Sequence, residues 1–240
     1  MTAPTMPAGL PARAGTARWW QIRYQQEARR RPRNDGLTID RITAAAVAII
    51  DARGLDALTM RGLAAELGSA AASLYRHVAT REELLVLVMD RVLGEVHTPP
   101  PTDGWRQEAE YMARDFYRVL NAHPEVVRLL PGEHLIGPNA LRAREVSLTR
   151  LMDAGFSPEL SIVIYANLVA FVLGHVLVAR FVKAEDGDAP RSTVYQMLDA
   201  DEYPTVIETA TLEPEGGRDA LFEDGLATLL DGFEARVREG

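Results

Sequence analysis

Apolar residues recur every three or four positions along nearly the whole chain, the spacing of one face of an α-helix. Behind Thr38, a Thr suited to capping, Ile39, Ile42, Ala46, Ile49 and Ile50 keep that spacing until Gly54. A short helix follows Thr59, with Leu63 and Leu67 on one face and Gly68 closing it. A third runs from about Ala70 to Val78. Thr80-Arg81-Glu82-Glu83 is a capping box that opens a fourth, carried on by Leu84, Leu85, Val88 and Val92. Pro99-Pro100-Pro101 cannot extend that helix and predicts a hinge. Beyond it the pattern predicts helices at 104–122, 125–130, 138–154, 158–184, 203–210 and 217–237, with a polar loop at Glu185–Pro190. Before Thr38 it is weak, and residues 1–37 read as a flexible arm with one amphipathic piece around Trp19–Arg31. No segment needs a strand, so the expected fold is all-α.

Residues 58–78 carry the functional signal. Two short helices meet at Gly68-Ser69, where glycine lets φ turn positive and the chain reverse. With Leu63, Leu67, Leu74 and Val78 facing inward, Ser73, Arg76 and His77 face outward and Tyr75 lies at their edge. This is the arrangement of a helix-turn-helix whose second helix enters a DNA major groove. Thr59 and Arg61, near the start of the first helix, stand where backbone phosphates would lie. Spacing alone leaves a plain helical hairpin inside a bundle open.

Composition changes that picture in two ways. The 240-residue chain carries a formal charge of −8, unpromising for a DNA binder, but the charge is unevenly spread. Residues 1–36 are net +5, residues 37–98 net −2 and residues 99–240 net −11. Only the N-terminal end is suited to a polyanion. The absence of cysteine excludes disulfides and thiolate metal sites and agrees with a cytoplasmic location. No phosphate loop, dinucleotide fingerprint, zinc-protease motif or nucleophile elbow occurs, and the five histidines never stand at ligand spacing, so neither a cofactor nor a metal is expected. Leu160–Val182 is apolar almost all round, either a membrane span or a helix covered by other helices; its polar Ser161, Asn167 and His175 favour the second.

Thr38 to Val96, above all Leu58-Thr-x-Arg-x-Leu-Ala-x-x-Leu-Gly, Ser73-Leu-Tyr-x-His-Val and Arg81-Glu-Glu-Leu-Leu, resembles the DNA-binding head of TetR-family transcriptional regulators. Trp105, Phe116, Gly155-Phe156-Ser157, Gly174 and the closing Phe222-x-x-Gly225-Leu-x-x-Leu-Leu-x-Gly-Phe233 resemble the effector-binding and dimerisation domain of the tetracycline repressor subgroup. The resemblance implies a head at 38–98, with its motif at about 59–78, and an antiparallel helical second domain at 99–240. It implies a homodimer that binds a pseudo-palindromic double-stranded operator and releases it on binding a small-molecule effector, with no membrane involved. The family's DNA contacts fall on Met60, Arg61, Ala71, Ala72, Ser73, Tyr75, Arg76, His77 and Arg81, to which the motif adds Thr59. Tyr75, His77 and Arg81 would hold phosphates, and Ser73 and Arg76 would read base edges. The run Ala70-Ala71-Ala72 departs from the polar readers often found there and offers only apolar contact to thymine methyls. Helices 158–184 and 217–237 would form the dimer contact through Leu168, Val172, Gly174, Leu226, Leu229 and Leu230. Trp105, Met112, Phe116, His134, Leu151 and Phe171 are the candidate effector lining, aromatic and apolar with one polar handle. His134 stands where the subgroup places a metal-binding histidine, but Val178 replaces the acidic partner, which argues against a tetracycline–magnesium effector. The competing class is an all-α small-molecule-binding enzyme or membrane-associated protein whose head matches by chance.

Overall fold

The computed structural model of the chain describes residues 12–27, 37–100, 104–130, 135–184, 194–209 and 217–238. Among them are eleven α-helices and one 3-10 turn, and no strand. They fall into two compact units, residues 1–97 with 122–145, and residues 98–121 with 146–240.

The first unit holds α1 (Ala17–Glu27), α2 (Ile39–Arg53), the 3-10 turn Leu55–Ala57, α3 (Met60–Glu66), α4 (Ala71–Tyr75), α5 (Arg81–Leu93), α7 (Pro124–Val127) and the first half of α8 (Pro138–Asp153). Three threonines start three of these helices as the sequence predicts. Thr38, Thr59 and Thr80 accept hydrogen bonds from the amides of Arg41, Gly62 and Glu83 at 3.1, 3.0 and 3.2 Å. Each such cap stabilises its helix by about 1 kcal/mol. Only half of the predicted box closes on itself. The Glu83 carboxylate accepts from the Ala79 amide, one residue before the cap, at 2.9 Å.

The helix α2 packs on α5, α3 and α7 through Ile42, Ala46 and Ile50, all fully buried. Each large apolar side chain so buried contributes about 1.5–3 kcal/mol. Leu58, Leu63, Leu74, Val78, Leu84 and Val88 complete this core. Residues 122–145, which follow the expected hinge in sequence, belong to this unit through specific polar contacts. His123 is held between Asp51 and Glu95, at 2.9 and 3.0 Å. Burial works against the charged ring, but the hydrogen bonds to Glu95 and Asp51 outweigh it and raise its pKa above the usual histidine value. Asp90, 6% exposed, accepts from the amides of Asn139 and Ala140 at 3.1 Å each and so caps α8 from α5. Gly137 passes so close that an added Cβ would lie 2.1 Å from the Asp90 carboxylate.

The arm corrects the sequence reading. Its described part, α1, is no flexible tail: Trp19 and Trp20 are 6% and 3% exposed. Weak helical patterning hides this, because the two tryptophans are adjacent and bury together.

The second unit contains α6 (Trp105–Ala122), the rest of α8, α9 (Pro158–Ala184), α10 (Pro204–Thr209) and α11 (Gly217–Arg238). The last helix packs along α9, and both point Ile164, Val172, Val176, Phe222, Leu226 and Leu230 into one core. Arg106 pairs with Asp231 at 2.7 Å and Arg114 with Glu223 at 2.9 Å, tying α6 to α11. The predicted loop at 185–190 lies outside the described residues.

Candidate nucleic-acid interface and ligand-binding unit

The reversal between α3 and α4 is set by Gly68. Its φ of +62° lies in the left-handed region, which favours glycine. The Gly68 amide donates to the Ala65 carbonyl at 3.0 Å and the Ser69 amide to the Ala64 carbonyl at 2.9 Å. These two bonds are a Schellman closure, which satisfies the last carbonyls of α3 and turns the chain into α4. Buried Leu63, Leu74 and Val78 then fix the roll of α4. That roll leaves Ala72, Arg76 and Tyr75 exposed, the tyrosine at 51%, with Ala71, Ser73 and His77 half-buried beside them. The residues expected on the reading face therefore lie together on one surface. Arg76 donates to the Ser73 hydroxyl at 3.1 Å, so the two candidate base readers are linked. Thr59 and Arg61 are exposed at the start of α3, the Thr59 hydroxyl already engaged as the cap.

Two predicted contacts belong elsewhere. Met60 is 9% exposed and packs in the core, because the first residue of a capped helix here points inward. Arg81 donates through Nε to the Leu58 carbonyl and through Nη2 to the Leu55 carbonyl, each at 3.0 Å. Those bonds fasten the turn before α3 to the start of α5. Sequence spacing could not show this, since the partners lie 23 and 26 residues away.

In the second unit the candidate lining residues separate into two ring groups. Trp105 meets Phe156 edge-on, centroids 5.0 Å apart. Phe171 lies 4.5 Å from His175 and 5.4 Å from Phe222, and Phe222 stacks on Tyr117 at 4.0 Å. Gly225 admits this group: a Cβ there would come 2.9 Å from the Phe171 ring. Burial lowers the His175 pKa, which favours the uncharged ring. The Tyr117 hydroxyl donates to Asp219 at 3.1 Å. Tyr117, His175 and Phe222 are not among the candidate lining residues, although Phe222 opens the closing motif of the resemblance. The signal for His175 was its place four residues after Phe171, on the same helix face. Met112 and Phe116 are half-buried on α6 and Leu151 is buried; His134 lies outside the described residues.

The dimer residues need correction. Val172, Leu226 and Leu230 are at most 1% exposed within one protomer, so no partner is needed to bury them. Leu168 and Leu229 are half-buried, and of the six only Gly174 is exposed. The uncovered face of α9 carries Val163, Ala166, Asn167, Ala170, Gly174 and Val178, and α11 adds Leu221, which is 45% exposed. The stretch Pro158–Val178 is long and apolar enough to cross a membrane, with a mean hydropathy of 2.1, and only 22% of it is buried.

Known proteins share this arrangement. The family described as tetracyclin repressor-like, C-terminal domain, matches residues 98–237, and that of bacterial regulatory proteins, tetR family, matches residues 42–88. The HTH-type transcriptional repressor DrrR1 of Streptomyces coeruleorubidus is 32% identical over 220 residues, 85% of this chain and 79% of that protein. The tetracycline repressor protein class E of Escherichia coli is 30% identical over 206 residues, 85% of this chain and 93% of that protein. The crystal structure of the Streptomyces coelicolor TetR family protein ActR in complex with actinorhodin matches with a TM-score of 0.69 at 35% identity, over 83% of this chain and 97% of ActR. A helix-turn-helix head followed by a matching helical C-terminal half leaves no room for a chance likeness: the chain belongs to the TetR family of bacterial DNA-binding transcriptional regulators.

Proposed function

We propose that this regulator is a repressor in which α4 reads the operator and the aromatic group of the second unit senses the effector. As a TetR-family regulator it is not an enzyme, and it binds operator DNA, dimerises and responds to a small molecule. Such regulators are soluble proteins of the cytoplasm. The observation that carries the residue-level reading is the roll of α4, which buries Leu74 and Val78 and leaves Tyr75 and Arg76 outward. Arg76 has the two-pronged geometry that suits guanine, and the alanines at 71 and 72 suit thymine methyls. Operator reading and dimerisation centre on residues 38–98 and 99–240 respectively.

For the effector, half-buried Tyr117 and Phe171 offer ring area, buried Phe222 backs them, and His175 adds one polar contact, a set suited to a flat, ring-bearing small molecule. ActR, solved with actinorhodin, and the Acinetobacter baumannii TetR variant solved with minocycline support a ligand of that general kind. The subgroup's magnesium site is not expected, because Val178 is 61% exposed and supplies no oxygen ligand. The experiment is a selection of duplexes from a random pool followed by titration at several salt concentrations. A pseudo-palindrome should emerge, bound with an affinity that falls steeply as salt rises, because phosphate contacts release counterions. A selected sequence without two-fold symmetry, or salt-independent binding, would overturn the reading.

A further inference from the structure

The helix α1 lies outside the shared family head, whose match begins at residue 42. It is nonetheless built firmly onto the first unit. Trp19 and Trp20 meet edge-on with centroids 4.8 Å apart, and the Arg23 guanidinium lies 5.4 Å from the Trp19 ring. Trp20 lines one crevice with Met89 and Leu93 of α5 and with Leu135 and Ala140. At the far end of α1, the Tyr24 hydroxyl donates to the Ile136 carbonyl at 3.0 Å. Anchored at both points, α1 presents the Trp19 indole at a fixed place. There its Nε1–H donates to Glu83 Oε1 at 2.9 Å, while Glu83 Oε2 accepts from the Ala79 amide at 2.9 Å. Ala79 lies four residues beyond Tyr75, the last residue of α4, just past the closing turn in which the amides of His77 and Val78 both donate to the Leu74 carbonyl.

From this unbroken chain of bonds we propose that Trp19 and Glu83 are positioning residues for DNA reading: α1 holds Glu83, and Glu83 holds the turn leaving the recognition helix. The physical reason is economy of freedom. The helix α4 has only five residues and no side-chain cap, so its own hydrogen bonds fix its aim weakly. A charge-assisted bond at Ala79, past the turn that closes α4, restrains the helix through that turn where the sequence of α4 cannot. The restraint bears on discrimination between base sequences more than on phosphate contact, because a helix whose aim wanders still meets the backbone. The proposal rests on the reading of α4 as the recognition helix.

Trp19→Phe tests it, keeping an apolar ring in place while removing the donor together with part of the ring. Hydrogen exchange of the Ala79 amide, without DNA, reads the restraint itself. The affinity ratio between the pool-selected duplex and a scrambled one reads its consequence. In the variant the amide should exchange faster, and the ratio should fall about three- to tenfold, the net worth of one ordinary hydrogen bond. Glu83→Ala should do at least as much, and adding Trp19→Phe to it should do nothing further, a non-additivity that mere loss of packing does not give. Tyr24→Phe, which loosens the far anchor without touching the core, should also speed Ala79 exchange and serves if Trp19→Phe does not fold. Unchanged Ala79 exchange, additive effects of Trp19→Phe and Glu83→Ala, or equal losses on both duplexes would each overturn the proposal. Faster Ala79 exchange with no duplex preference even in the wild type would instead overturn the reading of α4, and the proposal with it.

Discussion

Tyr75 and Arg76 are exposed neighbours to which the proposed reading of α4 gives different work. A phenol hydroxyl on a helix edge reaches backbone oxygens, which are alike in every sequence, whereas a guanidinium in the groove meets base edges, which are not. Tyr75→Ala should therefore weaken the selected and the scrambled duplex by similar factors, about tenfold, or ~1.4 kcal/mol. Arg76→Ala should lower the ratio between them by about 1–3 kcal/mol at the base pair it reads. Titration of both duplexes at one salt concentration checks the pair, and a Tyr75→Ala effect confined to the selected duplex would reverse the roles. Arg81 belongs to a different class. With two donors on the Leu55 and Leu58 carbonyls, it is a brace. Arg81→Lys loses the fork that reaches both carbonyls. It should cost about 1 kcal/mol of stability, seen as a thermal midpoint lower by about 2–4 °C. The salt slope of DNA binding should stay as it was; a shallower slope would mean that Arg81 does meet phosphate.

At the scale of elements, helices distant in sequence are fastened by single polar groups. His123, 8% exposed, bridges Asp51 at the end of α2 and Glu95 just after α5. Both ring nitrogens donate only when the imidazole is protonated. Because its folded pKa is raised, the folded protein holds the proton where the unfolded chain, near pH 6.5, gives it up. The clamp is thus complete below about pH 6.5 and is lost as pH rises through the raised value. Thermal midpoints at pH 6 and pH 8.5 should differ more for the wild type than for His123→Gln, which cannot carry the charge. Equal differences in the two proteins would show that the clamp is indifferent to its proton. Asp90 illustrates the opposite balance. Burial raises its pKa, and the amides of Ala140 and Asn139 oppose that rise without cancelling it. Its value lies in where it holds the start of α8, not in net stability.

On the scale of the whole molecule, the uncovered stripe of α9 is the face we propose for assembly. Small residues at 166, 170 and 174 let a partner helix approach closely, and Val163 and Val178 supply apolar area beside them. Gly174→Arg tests that face cleanly, because a Cβ at 174 meets nothing within the protomer. The variant should fold normally, sediment as a monomer and lose most operator affinity, since one head reads only half a site. Leu230→Asp is the contrast. That side chain is 0% exposed, so the variant should lose the fold itself through an unpaired buried charge. A stable Gly174→Arg dimer would move the interface elsewhere.

The helices, their threonine caps, the Gly68 turn and the inward set of α4 were all legible in the sequence, because each is decided by residues within a few positions of one another. The same local logic made the head recognisable and placed Tyr75 and Arg76 outward. What periodicity could not decide was which of several apolar faces meets which neighbour. Both α9 and α11 are apolar on more than one side, so pattern alone could not separate Leu226 and Leu230, inside the protomer, from Gly174 outside it. Nor could it show that Arg81 is bound to carbonyls, that His123 closes a clamp across 72 positions, or that Trp19 reaches Glu83 across 64. Those outcomes depend on pairs brought together only when the chain is packed, and a charged or aromatic side chain takes whatever partner the packing leaves within its reach.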